Sequence, residues 1–206
     1  GCGLVENILI TEELAAACAG LATTIFDNSL GMEPLRHSVN TALKQKYFTE
    51  IARNFKLICF ATSEPTMGSD VAGIRCLARR DGDDYVLNGT KYWITNGGLA
   101  DYLSVFATTD PAQKHGGICA FVVEKDWQGV SIGRRIPKLG QRGSNTVGIH
   151  FKDVRVPKEN ILAPPGEGFL HQLVHVVDAA DGNQTEVAQM GADDQRLGVG
   201  VADHPD

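Results

Sequence analysis

The feature that most constrains the fold of this sequence is a change in hydrophobic rhythm near Lys56. Before it, apolar residues recur at helical spacing; after it, strand-length apolar runs alternate with turn residues as far as Val156. Asp81-Gly82-Asp83 is typical of a hairpin turn. About seven such runs follow one another with no helix between them, at residues 57–61, 74–80, 85–87, 103–108, 118–124, 130–134 and 147–151. This pattern predicts an antiparallel β-barrel or sandwich rather than a βαβ nucleotide-binding sheet.

Two helices are predicted before the strands. Residues 8–24 carry apolar side chains at helical spacing, and residues 39–54 place Tyr47 and Ile51 on one face. Pro34 is expected to break the chain between the two helices.

The predicted fold class is therefore α+β, with N-terminal helices followed by the β domain and then by a short helix and an irregular tail. We expect a partial helical domain over residues 1–55 and a β domain over residues 56–165. Residues 166–206 would hold a short helix near 170–177 and a Gly-, Asp- and Gln-rich tail without amphipathic periodicity.

Charge and hydropathy exclude some classes of partner. The net charge of −6 and the lack of a basic stripe argue against nucleic acid, so no nucleic-acid partner is expected. The apolar runs are shorter than a bilayer requires, so no membrane span is expected. Five cysteines at positions 2, 18, 59, 76 and 119 are odd in number and form no C-x-x-C pair, which favours a reducing compartment over a disulfide framework.

Two short stretches carry most of the functional signal: Ser-Glu-Pro-Thr-Met-Gly-Ser-Asp at 63–70 and Lys-Tyr-Trp-Ile-Thr-Asn-Gly-Gly at 91–98. Each follows a predicted strand and offers hydroxyls and backbone N–H groups, and Trp93 adds an aromatic wall. Gly68 would let the backbone approach a ligand closely. This equipment suits a flat heteroaromatic ring. The alternative is that both stretches are ordinary turn-rich connections.

In this order and spacing, the two stretches resemble the flavin-binding signature of the acyl-CoA dehydrogenase family. Four further segments resemble the same family, closest to its short- and medium-chain members: residues 26–31, 70–74, 139–146 and 151–160. The resemblance extends over about residues 3–169.

The resemblance implies an oxidoreductase that binds FAD and oxidises an acyl-CoA thioester to trans-2-enoyl-CoA, with a carboxylate removing the α-proton and the flavin accepting the hydride. It also implies an electron-transfer flavoprotein as partner, a homodimer or homotetramer, and a bacterial cytoplasm or mitochondrial matrix. The implied cofactor-binding residues are Phe60, Thr62, Ser63, Gly68, Ser69, Trp93, Ile94 and Thr95, and the implied substrate-binding residues are Ser69, Thr23, Phe26 and Leu30.

No residue of the chain is assigned as the catalytic base. Family subunits are about twice this length, and the catalytic glutamate of short- and medium-chain members lies in a C-terminal helical domain that this chain does not match. Glu64 is expected to be structural, as in the family, and Asp70 to cap its turn by accepting backbone N–H bonds.

Three functions therefore remain open. The chain is a fragment, a truncated product or an aberrantly spliced or frame-shifted form of an acyl-CoA dehydrogenase, and whether it is active alone stays open. Alternatively, it is a non-catalytic β-domain module for binding or interaction. A flavin monooxygenase on the same scaffold is the third possibility, and it would also need the unmatched domain.

Other residues carry open interpretations. Phe26 stands where medium-chain relatives carry a polar residue, so its ring would shorten the acyl pocket; the alternative is a plain core residue. Arg142 suits recognition of a phosphate or carboxylate, or a salt bridge at the domain seam. His171 and His175 lie four residues apart but lack a third ligand, so no metal site is predicted.

Overall fold

The computed structural model of this chain describes residues 4–169. Within that range the helices are α1 (Leu4–His37) and α2 (Thr41–Asn54), with short 3-10 helices at Val71–Gly73, Pro111–Gly117 and Lys158–Asn160. The strands are β1 (Ile58–Ala61), β2 (Leu77–Asp81), β3 (Asp84–Thr95), β4 (Tyr102–Thr108), β5 (Ile118–Glu124), β6 (Val130–Ile132), β7 (Thr146–Val156) and β8 (Ile161–Ala163). The predicted helix at 170–177 and the tail lie outside the described residues.

The strands form one mostly antiparallel sheet in the order β6-β7-β3-β2-β4-β5-β8, with β1 beside β4. The pairs β1–β4 and β2–β4 are parallel. The α+β class is confirmed, with eight strands in the described part of the chain rather than about seven. The hairpin turn is also confirmed, since Asp81 pairs with Asp84 and Gly82 adopts the left-handed φ of +67° that such a turn needs.

Side chains of the sheet alternate between two hydrophobic clusters. On β4, Leu103 and Val105 point into a cluster enclosed by the curved sheet and shared with β2, β3, β5 and β7. Tyr102 and Phe106 point the other way, where they meet Leu35 of α1 and other residues of both helices. The period-two alternation of β4 therefore fixes which sheet face meets the helices.

The expected break at Pro34 is wrong. The helix continues through Pro34 and ends at His37. A proline in the last turn is tolerated because it removes a single backbone hydrogen bond and the helix ends three residues later. The interruption lies instead at Cys18, whose φ of −160° and ψ of 104° are not helical. The second helix is confirmed, and Asn40 caps it by accepting a 3.0 Å hydrogen bond from the Leu43 N–H.

One face of α1 lies against the β domain, a contact that we call the seam. Its residues are spaced at helical intervals: Gly20, Thr24, Asp27, Asn28 and Gly31. The Asn28 side chain accepts a 2.9 Å hydrogen bond from the Ile58 N–H. A Cβ added to Gly31 would lie 2.6 Å from the Ile58 carbonyl oxygen, so the helix can approach the strand this closely only through glycine.

Away from the seam, α1 exposes several large apolar side chains, including Val5, Ile8, Leu9, Leu21 and Ile25. By length and composition alone, Val5–His37 could cross a membrane, so the expectation of no spanning segment is not confirmed. Core helices of soluble proteins and signal sequences meet the same criterion.

We predict that Gly31→Ala destabilises the chain by about 1–3 kcal/mol, because the new methyl group would overlap the backbone of Ile58. Urea denaturation followed by circular dichroism measures the change. Gly140→Ala is the control, since a Cβ there meets no atom within 4 Å. Equal stability of the two variants would mean that the seam is looser than described.

Candidate functional site

The two predicted ligand-binding stretches lie side by side. The loop after β1, residues 62–70, meets β3 through a 2.8 Å hydrogen bond from the Tyr92 N–H to the Ser63 carbonyl oxygen. The Lys91 ammonium group donates to the Thr62 carbonyl oxygen at 2.9 Å. Residues about thirty positions apart in sequence are thereby held as one unit.

A fully buried ion pair reinforces this contact. Lys91 Nζ lies 2.7 Å from Glu64 Oε1, and both side chains are almost entirely excluded from solvent. The Glu64 carboxylate also accepts 2.9 Å hydrogen bonds from the N–H groups of Arg75 and Cys76. Glu64 is therefore committed to structure, as predicted. The role of Lys91 was missed, although a lysine within the run from Tyr85 to Ile94 was a visible signal.

Trp93 occupies a bulge in β3. Lys91 pairs with Ile149 and Ile94 with Val147, so two residues of β3 face one of β7. The backbone of Trp93 is left-handed, with a φ of +63°, and its side chain is 57% exposed. An aromatic residue in this conformation costs about 1–2 kcal/mol, a strain that often marks a functional position.

Three predicted flavin-contacting hydroxyls are available for a ligand. Ser63 and Thr95 are half-buried and Ser69 is exposed. Among residues 4–169, none of these three hydroxyls forms a hydrogen bond within the protein. Gly68 is also exposed, and a Cβ added to it would meet no atom within 4 Å. The bulge and the loop thus present unpaired polar groups beside an exposed indole.

Other candidates are placed differently. Ile94 is 2% exposed and packs in the enclosed core, so only its backbone could reach a ligand. Thr62 is buried, and Phe60 is half-buried with its ring 5.0 Å from that of Phe106. The expectation that the Asp70 side chain caps the turn is wrong: it forms no capping hydrogen bond, and its carbonyl oxygen accepts from the Gly73 N–H instead.

The chemistry of this donor set fits FAD. An isoalloxazine ring has a polar edge that unpaired hydroxyls can bind and a face that an indole can cover. Open backbone at Gly68 beside a free serine hydroxyl suits a pyrophosphate. Ser63, Thr95, Trp93, Gly68 and Ser69 are the residues that would hold the cofactor.

Three of the four predicted substrate residues, Thr23, Phe26 and Leu30, lie on a different face of α1 from the seam, and the fourth, Ser69, lies in the loop after β1. Thr23 Oγ1 is 2.9 Å from the Ala19 carbonyl oxygen and 3.0 Å from Gln141 Oε1, in the loop before β7. Leu30 is half-buried. Phe26 is 48% exposed, so the alternative of a plain core residue is wrong.

Arg142 lies in a basic groove before β7. The groove has a volume of about 490 Å³ and is lined by Arg135, Ile136, Pro137, Lys138 and Arg142. Arg142 is exposed and forms no ion pair with any residue that the structure describes. The alternative of a salt bridge at the domain seam stays a prediction. Burial and the neighbouring Arg135 lower the pKa of Lys138.

The buried cysteines do not offer a nucleophile. Burial raises the pKa of Cys76 to about 11 and that of Cys119 to about 12, and it raises the pKa of Cys59 well above its usual range. These thiols are neutral near pH 7 and unreactive. In the described part of the chain no disulfide and no cluster of metal-ligating side chains is present.

Two family comparisons match the chain. Residues 1–54 match "Acyl-CoA dehydrogenase, N-terminal domain", and residues 59–154 match "Acyl-CoA dehydrogenase, middle domain". The short-chain specific mitochondrial acyl-CoA dehydrogenase of Mus musculus is 38% identical over 93% of this chain and 44% of its own length.

Solved structures agree. Butyryl-CoA dehydrogenase from Megasphaera elsdenii has a TM-score of 0.78 at 30% identity, over 95% of this chain and 60% of its own. An acyl-CoA dehydrogenase complexed with FAD from Bacillus anthracis has a TM-score of 0.78 at 35% identity, over 87% of this chain and 30% of its own.

The chain thus spans less than half the length of the mouse relative, while the matches cover most of the chain itself. Sequence, fold and the placement of the paired stretches agree with one another. This chain belongs to the acyl-CoA dehydrogenase family, of which it carries the N-terminal and middle domains.

Proposed function

We propose that this chain binds FAD and an acyl-CoA as part of an acyl-CoA dehydrogenase that oxidises the thioester to trans-2-enoyl-CoA. The observation that carries the proposal is the juxtaposition of unpaired hydroxyls with the exposed Trp93, held together by the Lys91–Glu64 pair. The family membership supports it.

Each residue has a definite task in this proposal. The Ser63 and Thr95 hydroxyls bind the polar edge of the flavin, and the Trp93 indole covers its face. The backbone at Gly68 and the Ser69 hydroxyl bind the pyrophosphate, with Ser69 also near the CoA. Bound FAD supplies a hydride acceptor for the β-carbon of the substrate.

The α-proton must go to a carboxylate that this part of the chain does not offer. Glu64 already accepts from Lys91 and two backbone N–H groups. We therefore place the base outside residues 4–169. The same proposal includes an electron-transfer flavoprotein as electron acceptor, a homo-oligomer, and a mitochondrial matrix or bacterial cytoplasm as compartment.

The proposal is tested by the visible absorption spectrum of the purified chain with added FAD, followed anaerobically during titration with short- and medium-chain acyl-CoA. We expect FAD to bind and its absorption spectrum to shift, because the hydroxyls and the indole proposed to contact the flavin all lie within the described part of the chain. Bleaching would reveal a base within the chain. Failure to bind FAD would instead favour the non-catalytic β-domain module.

We predict that Trp93→Ala weakens FAD binding about tenfold, because the aromatic wall is lost. Its effect on the free energy of unfolding should stay within about 0.5 kcal/mol, since the side chain is exposed. Phe55→Ala is a matched control: Phe55 is also an exposed aromatic residue with a left-handed backbone, at a φ of +51°. Equal losses of FAD affinity in both variants would remove Trp93 from the site.

A second prediction concerns chain length. If the exposed Phe26 ring shortens the acyl pocket, the wild-type chain binds short acyl-CoA best and Phe26→Ala shifts the preference to longer chains. A titration series of acyl-CoA of increasing length measures the preference. Tight binding of long chains by the wild type would refute this role for Phe26.

A further inference from the structure

Asp27 is a buried acid without a hydrogen-bond partner. It is 8% exposed, and its Oδ2 has no donor. Asn96 Oδ1 is likewise buried and unpaired. The Ser144 hydroxyl beside Gly20 is also buried and unpaired. Most buried polar groups in proteins are hydrogen-bonded, so these unpaired atoms along one seam require an explanation.

The unpaired atoms of Asp27 and Asn96 belong to neighbouring side chains. Asn96 Nδ2 donates a 2.7 Å hydrogen bond to the Thr24 carbonyl oxygen of α1. Asp27 lies three residues further along, on the same helix face, one turn away. The Asn96 amide thus reaches α1 one helical turn from Asp27, on the face that carries Asp27.

Asn96 also fixes the end of β3. It follows Thr95 directly and has a left-handed φ of +58°. Its N–H donates to the Asn145 carbonyl oxygen at 2.9 Å, and its own carbonyl oxygen accepts from Leu99 and Ala100 at 2.7 and 2.8 Å. The side-chain oxygen is the one polar atom of Asn96 without a partner among residues 4–169.

Of the two protonation states of Asp27, only the neutral acid carries an O–H donor that could bind the Asn96 side-chain oxygen. Burial raises the pKa of Asp27 from 3.8 to about 7, with no charged partner contributing. The titratable group that faces it from β1 is Cys59, a neutral buried thiol. Neither β4 nor β8 carries a charged residue. On α2, Lys44 and Lys46 are held by the Arg36 carbonyl oxygen and by Glu124, Glu50 accepts from Asn54, and Arg53 is exposed.

We propose that Asp27 is a positioning residue: as a neutral carboxylic acid it donates a hydrogen bond to Asn96 Oδ1 and thereby anchors to α1 the end of β3 that carries Trp93 and Thr95. Its effect on cofactor binding rests on the proposed function. The hydrogen bond itself does not, since it joins two groups of the chain.

The proposal makes stability depend on pH with a defined sign. Because the folded-state pKa lies above the unfolded value, the contribution of Asp27 is complete below about pH 4 and is lost as the pH rises toward and through about 7. Thermal unfolding of the full chain between about pH 5 and pH 8.5 should show this loss. The Asp27 carboxyl carbon, followed by NMR, should titrate near neutral pH.

The variant Asp27→Asn, compared with Asp27→Ala, distinguishes a hydrogen bond to Asn96 from the burial of the side chain alone. Its amide keeps a donor but does not titrate, so we expect it to match the wild type below about pH 4, to be more stable than the wild type near pH 6 and near pH 8, and to lack the pH-dependent loss. Asp27→Ala keeps no donor, so it should be less stable than Asp27→Asn at both pH values and should also lack the pH-dependent loss. Asp101→Asn is the control: Asp101 pairs with Lys56 at 2.8 Å and has a lowered pKa, so this variant should keep the wild-type slope.

The FAD affinity should follow the same profile, falling about tenfold in the wild type between about pH 6 and pH 8 and remaining constant in Asp27→Asn. If the stability of Asp27→Asn no longer depends on pH but no form of the chain binds FAD, the hydrogen bond from Asp27 to Asn96 is supported and the proposed function is refuted. An Asp27 carboxyl that titrates near pH 4 would overturn this hydrogen bond, and so would a stability of Asp27→Asn that varies with pH as in the wild type.

Discussion

The buried ion pair between Lys91 and Glu64 is the interaction on which the candidate site depends. Removing one partner of such a pair typically costs about 3–5 kcal/mol, because an uncompensated charge stays in the interior. Here the carboxylate is tolerated because it accepts from Lys91 and from two backbone N–H groups. The pair therefore joins β3, the loop after β1 and the approach to β2 into one rigid unit, and the flavin-contacting candidates are carried on its surface.

The sequence predicted the architecture well where hydrophobic periodicity and turn residues alone determine the local structure. The strand-length run that forms β4, the Gly82 turn and the face of α2 that buries Tyr47 were all visible in the sequence. Pro34 and Asp70 were misjudged, because the cost of a proline depends on where the helix ends and a capping role depends on geometry that composition does not contain.

The site was predictable to the extent that its chemistry lies in short motifs. The hydroxyls of the two stretches and Trp93 were identified as candidates. Ile94 was expected to line the cofactor site, and because its side chain faces the core, only its backbone is left for a ligand. A bulge decides this, because adding one residue to a strand reverses which side chains point inward. Lys91, Asp27 and Asn96 were missed as partners, since their interactions join segments far apart in the sequence.

The left-handed backbone of Trp93 has a consequence for kinetics. The strained conformation is fixed by contacts within the chain, since the bulge holds it against β7. A flat ring that docks on the indole therefore does not have to wait for the strand to rearrange, nor spend binding free energy on ordering it. Association should be limited by diffusion to the exposed indole, and differences in affinity among variants of this surface should appear mainly in the dissociation rate.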